Sequence, residues 1–92
     1  MILELSEVFQ RDLRALGADE RADLFEALLV LPGAVGAPHQ HVGLGLRKLH
    51  PAGIWEGRAG LALRFVFRLE RNTAVLLRVG THDEIRRFLR RL

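Results

Sequence analysis

Between Pro32 and Gly45 the chain changes its hydrophobic period, and this change restricts the fold more than any other feature. Before it, apolar residues recur at helical spacing: Val8, Phe9, Leu13 and Leu16, then Ala22, Phe25 and Leu29 alongside Leu24, Leu28 and Leu31. After it the period is two. Leu46, Lys48 and His50 alternate with Arg47 and Leu49, and Phe65, Phe67 and Leu69 alternate with Arg64, Val66, Arg68 and Glu70. Further on, Val75, Leu77 and Val79 alternate with Leu76 and Arg78. Helices followed by consecutive strands describe an α+β domain with a meander, not a βαβ unit with a parallel sheet.

The punctuation supports this division. Ile2, Leu3 and Leu5 suit a brief opening strand, and Ser6 is an N-cap for the first helix. Gly17 stops that helix, Asp19 reads as the next N-cap, and Pro32-Gly33 ends the second helix. The short Gly17-Ala18 link makes the two helices an antiparallel hairpin. Pro51-Ala52-Gly53, Gly60 and Arg71-Asn72 mark the reversals between strands. Thr81 with Glu84 three residues on is a capping box, so a last helix starts near His82. Ile85, Phe88, Leu89 and Leu92 form its apolar stripe, with Arg86, Arg87, Arg90 and Arg91 on the other side.

Ninety-two residues make a single domain over 1–92. A hydrophobic content of 49% argues against disorder. The lack of cysteine excludes disulfide and thiolate metal sites and fits a reducing cytoplasm. No apolar run approaches the roughly 20 residues that span a bilayer, and MILELSEVF is not a signal peptide; a soluble cytoplasmic protein is expected. The net charge of +3 conceals an asymmetry. Residues 1–34 carry three arginines against seven acids, a balance of −4, whereas residues 35–92 carry eleven basic residues against four acids, a balance of +7. A basic half on a small domain is the footprint of a phosphate backbone or an acidic partner. His39 and His41 lie in the Gly/Pro-rich crossing, and two histidines without a third ligand read as surface residues, not as a metal site.

The strings GLRKLH, GIWEGR, LRFVFRLE and LLRVGTHDEIRRFL, in this order and spacing, resemble the RelE/ParE superfamily of toxins from type II toxin–antitoxin operons. The likeness covers most of the chain and favours the RelE-like branch. It implies an N-terminal strand and antiparallel helical hairpin packed on a mainly antiparallel four-stranded sheet, closed by a short C-terminal helix. It also implies a concave basic face opposite the helices. RelE-like members cut mRNA in the ribosomal A site with neither metal nor cofactor, ParE-like members inhibit DNA gyrase, and nearly all are neutralised by a cognate antitoxin.

Metal-independent cleavage of RNA needs a proton carrier near the 2′-hydroxyl, cations on the phosphate, and an acid for the leaving 5′-oxygen. His82, in VGTHDE, occupies the position where the resemblance expects histidine or arginine, and an imidazole titrates near neutrality. Arg64 matches the arginine of the long central strand and would grip phosphate bidentately. Arg58 sits where relatives place a cation or histidine. Arg47, Lys48 and His50 are candidate RNA contacts, with His50 a possible second proton carrier. Phe88, six residues after His82, falls where relatives carry a base-stacking aromatic, although it also belongs to the apolar stripe. Trp55 reads as a sheet anchor and Glu56 as a salt-bridge partner, with Arg64 on the neighbouring strand one candidate for the pair; Glu56 could also act as a general base if an arginine neighbour holds it. The resemblance thus implies an mRNA endonuclease, with mRNA, the ribosome and an antitoxin as partners. Two features weigh against catalysis: the bare Ala59–Leu63 segment and the absence of tyrosine. They keep two alternatives open, a non-enzymatic gyrase inhibitor and a degenerate fold that retains only antitoxin binding.

Overall fold

A computed structural model describes residues 1–37, 42–50 and 53–92. Its elements follow the expected order: β1 (Ile2–Leu5), α1 (Glu7–Ala15), α2 (Ala18–Gly36), β2 (Arg47–His50), β3 (Ile54–Ala59), β4 (Leu63–Glu70), β5 (Thr73–Thr81) and α3 (His82–Leu89), with one 3₁₀ turn at Val42–Leu44. Among the described residues the strands form one sheet in the order β1-β5-β4-β3-β2. β2 to β5 are the antiparallel meander. The sheet has a fifth member, because β1 pairs parallel with β5, Ile2 opposite Thr73 through Leu5 opposite Leu76. β1 reaches the far edge because it alternates, sending Leu3 and Leu5 to the core while Ile2 and Glu4 stay exposed.

Ser6 caps α1 as expected, accepting a hydrogen bond from the Phe9 N–H at 3.1 Å. β1 is shorter than β5, and α1 serves the length of β5 that β1 leaves open. Ser6 N–H donates to Leu76 O, Ser6 Oγ donates to Leu77 O, and Asp12 Oδ2 accepts from Val79 N–H at 3.1 Å. Asp12 also takes Arg78 in a two-pronged pair of 2.7 and 3.3 Å. Backbone groups of a buried edge are thereby satisfied.

α2 departs from expectation in three ways. Its N-cap is Gly17, not Asp19; Glu20 Oε1 accepts the Gly17 N–H at 3.0 Å, leaving Asp19 to the first turn. It runs through Pro32-Gly33 to Gly36. Leu31 and Ala34 are fully buried on either side of the proline while Pro32 and Gly33 face outward, so packing of the inner face outweighs the lost backbone hydrogen bond. The buried stripe is Leu24, Ala27, Leu28, Leu31 and Ala34, whereas Phe25 and Leu29 stand 48% and 83% exposed. In a helix apolar nearly all round, periodicity does not choose the inner face, and the small alanines fit closest to the sheet.

The main core lies between α1, α2 and the sheet. Phe9, Phe65 and Phe67 are fully buried in it with Leu24, Leu31, Leu63 and Leu76, each such side chain contributing roughly 1.5–3 kcal/mol. Gly57 sits directly opposite Phe65, and a β-carbon there would overlap the phenyl ring. Phe65 stacks on Phe67 at 6.0 Å, and Phe67 on Trp55 at 6.5 Å, so the tryptophan does anchor the sheet.

The opposite face of the sheet is not uniformly polar. Val66 is completely buried there beneath α3, with Ile54 and Ile85, and Leu77, Phe88 and Leu89 close around them. The alternation of β5 also slips: Val66 pairs with Arg78 but Phe67 pairs with Leu76, which leaves Leu77 as a bulge residue. Val79 therefore joins Ala74 and Leu76 in the main core instead of following Val75 and Leu77.

α3 begins at His82, and its capping box is complete. Thr81 Oγ1 accepts from Glu84 N–H at 3.2 Å while Glu84 Oε1 accepts from Thr81 N–H at 2.9 Å. The Thr81 backbone N–H chiefly, then its hydroxyl, holds the Glu84 carboxyl below its ordinary pKa, with Arg87 and Arg78 adding to the effect against a desolvation penalty. A depressed carboxylate stabilises the fold above the unfolded value of about 4.3 and loses that contribution as pH falls through the lowered one. Acid titration of the unfolding free energy should show this loss in the wild type and none in Glu84→Gln. Thr81→Ala should cost about 1 kcal/mol by denaturant melting, the usual worth of an N-cap.

Candidate active site

α3 crosses only part of the outer sheet face, over Ile54 and Val66, and leaves the neighbouring part open. There Arg58 pairs with Arg64, Arg64 with Gly80, and Arg47 with Glu56, so four polar side chains project from the same face of three strands. His82, the first residue of α3, closes one wall. The result is a groove of about 300 Å³ lined by Gly45, Arg47, Glu56, Arg58, Arg64 and His82. The three proposed catalytic residues, and Arg47 with them, thus meet in one place. A larger hollow of about 430 Å³ lies along α1 between Glu7, Val8, Gln10, Arg11 and Arg14. It is a gap between exposed side chains of a single helix and gathers no groups from separate elements.

Within the groove, Glu56 is the one charged residue among those described that is buried, at 6% exposure. Its Oε1 accepts a hydrogen bond from Arg47 Nη2 at 3.1 Å. The salt bridge expected of Glu56 is therefore present, but with Arg47 and at the floor of the groove. The sequence offers Glu56 as a salt-bridge partner, or as a general base if an arginine holds it; the register sets it under Arg47 and beside Arg58, at the base of the groove. Gly45 has a second role of this kind. It adopts φ +57°, and a β-carbon there would collide with the Arg58 guanidinium, so the backbone of Gly45 is the surface on which Arg58 rests. Arg64 donates to its own strand, to Leu63 O at 3.4 Å.

Other expected contacts fall elsewhere. Lys48 pairs with Trp55, which pairs with Phe67; alternation therefore puts it on the face opposite Arg47, toward the helices. Phe88 is half-buried against Ile54, Val66 and Ile85, with the Arg78 guanidinium 5.4 Å from its ring centroid, and does not line the groove. Its apolar neighbours on α3 explain this: a ring in register with Ile85 and Leu89 must follow them onto the sheet. The register sets His50 opposite Ile54, four residues along β3 from Arg58, or roughly 13 Å; its side chain lies outside the described part. So do Pro51, Ala52, His39 and His41. Among the described residues no three metal-ligating side chains cluster together, and no helix is long and apolar enough to cross a membrane.

The site combines two strand arginines on one flank, an ion-paired carboxylate at its base and an imidazole at its rim. Such a groove can hold a phosphodiester against cations while one group takes a proton and another gives one.

No family model matches the chain, and no characterised protein matches it in sequence. Solved structures do match in fold. The toxin–antitoxin complex RelBE of E. coli superposes with a TM-score of 0.64 at 18% identity, over 87% of this chain and 94% of the other. The RelB–RelE complex of Methanococcus jannaschii gives 0.66 at 15% identity, over 92% and 96%. The isolated RelE toxin of E. coli gives 0.63 at 16% identity, over 99% and 98%. The α+β architecture expected of the chain is therefore the fold shared with these toxins.

Proposed function

We propose that this chain is the toxin of a type II toxin–antitoxin pair and that its groove cleaves mRNA, on the ribosome, without a metal. The observation that carries this reading is the convergence of Arg47, Arg58 and Arg64 with Glu56 and His82 in one open groove. The fold shared with RelE toxins supports it. In the proposed reaction the 2′-hydroxyl attacks the adjacent phosphorus. A new 2′-O–P bond forms, the bond from phosphorus to the 5′-oxygen breaks, and the products are a 2′,3′-cyclic phosphate and a free 5′-hydroxyl. Arg58 and Arg64 neutralise charge building on the non-bridging oxygens. In this reading Glu56 takes the 2′-hydroxyl proton, and His82, more exposed, gives a proton to the leaving oxygen.

The partner proposed is a cognate antitoxin. Two of the matching structures are toxin–antitoxin complexes. Here Phe25 and Leu29 leave an apolar strip on the outer side of α2 that an amphipathic segment would cover.

The test is translation of a defined mRNA in a purified system with the protein added. Breaks within codons, ending in 2′,3′-cyclic phosphate, are expected. Intact mRNA together with loss of supercoiling by purified DNA gyrase would replace this reading with the non-enzymatic one.

A further inference from the structure

The groove leaves the most basic surface of the chain without a task. α3 and the turn that closes it carry Arg86, Arg87, Arg90 and Arg91, all exposed, on the side away from the sheet. Arg86 with Arg90, and Arg87 with Arg91, form two rows whose members stand roughly 6 Å apart. Two acids stand among the four arginines: Asp83 beside Arg86, Arg87 and Arg90, and Glu84, engaged in the cap, beside Arg87 and Arg91, which leaves the face with an excess of two positive charges. Among the described residues none of the four arginines forms an ion pair. They border two hollows, of about 270 Å³ and 190 Å³, that share Arg87. This face starts at His82, where the groove ends.

Four guanidinium groups on the last turns of α3 and the turn that closes it repel one another until a polyanion lies across them. The one aromatic ring at this face, Phe88, borders the hollow of Arg87 and Arg91 but is half-buried against Ile54, Val66 and Ile85, with the Arg78 guanidinium 5.4 Å from its centroid, so its ring is not open to an unpaired base. Such a surface reads backbone charge and shape, not bases. We propose that the outer face of α3 docks the phosphate backbone of a folded, paired RNA, beside the groove that takes the unpaired strand. This rests on the RNA-cleaving reading of the groove. α3 would then present RNA to both of its sides, with His82 at the junction.

Two probes separate the surfaces: a short blunt-ended RNA duplex, and a short single strand made uncleavable by 2′-O-methyl groups. Alanine is the best helix former, so the variant R86A/R87A/R90A/R91A should keep its fold, as circular dichroism will verify. Its duplex affinity should fall at least about tenfold near 0.1 M salt, and the log–log salt slope by about three to four, close to one for each phosphate that an arginine no longer neutralises. Single-strand affinity should stay within about twofold, and four lysines in place of the arginines should restore duplex binding, because the term is electrostatic. Arg64→Ala should do the reverse, losing the single strand and keeping the duplex. Unchanged duplex affinity and slope in the alanine variant would overturn the proposal. So would loss of polyglutamate binding with duplex binding kept, which would assign the face to an acidic protein. If Arg64→Ala leaves the single strand unaffected while the alanine variant loses the duplex, the groove reading falls and the α3 surface stands.

Discussion

His82→Ala is expected to reduce mRNA cleavage by about 10²- to 10⁴-fold, the range that a positioned proton carrier supplies. The protein should meanwhile lose no more than about 0.5 kcal/mol of stability, because the side chain is exposed and makes no hydrogen bond among the described residues. The capping box around it stays whole, since its two hydrogen bonds run between Thr81 and Glu84 and do not use the imidazole. Loss of cleavage can therefore be assigned to the imidazole instead of to a frayed helix. Glu56→Gln should likewise lower cleavage and, by leaving Arg47 without its anion, weaken the floor of the groove as well. Full cleavage by His82→Ala would eliminate the imidazole as the proton carrier.

Phe65→Ala is expected to cost about 3–5 kcal/mol, the usual result of emptying a buried aromatic site. For a domain this small that is a fall in Tm of more than about 12 °C. The ring is fully buried, stacks on Phe67 and covers Gly57, so no neighbour can close the void without moving a strand. The converse substitution is informative. Gly57→Ala pushes a methyl group into the ring and should cost about 1–3 kcal/mol by overpacking. Combining it with Phe65→Leu, which shortens the opposing side chain, should cost less than the sum of the two. A fully additive pair, measured by denaturant melting, would mean that the glycine is not there to admit the ring.

Local chemistry is the legible part of this chain. Ser6, Thr81 with Glu84, and Arg71-Asn72 each act on neighbours two or three residues away, and each does what its residue type dictates. Alternation in β4 likewise indicates which phenylalanines face the helices. What is not legible depends on tertiary choices. Pro32 looks like a stop, but the helix continues because Leu31 and Ala34 gain more from the core than the missing hydrogen bond costs. The bulge at Leu77 shifts Val79 by one face, and no residue type announces it. In the site, His82, Arg58 and Arg64, which the resemblance singles out, line one groove together with Arg47. Lys48 leaves by the strand's alternation and Phe88 by the apolar stripe of α3. Glu56 is legible as an acid that an arginine could hold, but that the arginine is Arg47 and the place is the groove floor are properties of the strand register.

The parallel pairing of β1 with β5 has a bearing on how the chain is made. Its partners lie 71 positions apart in a chain of 92 residues, Ile2 with Thr73 and Ser6 with Leu77. Contacts of such long range form late, because the loop that joins them must close first. During synthesis β1 has nothing to pair with until β5 has emerged, and α1 cannot seal the remaining edge of β5 before then. The segment that supplies Arg64 and the residue that supplies His82 also flank or follow that strand. A nascent chain therefore carries neither a finished sheet nor an assembled groove until β5 and the start of α3 have emerged.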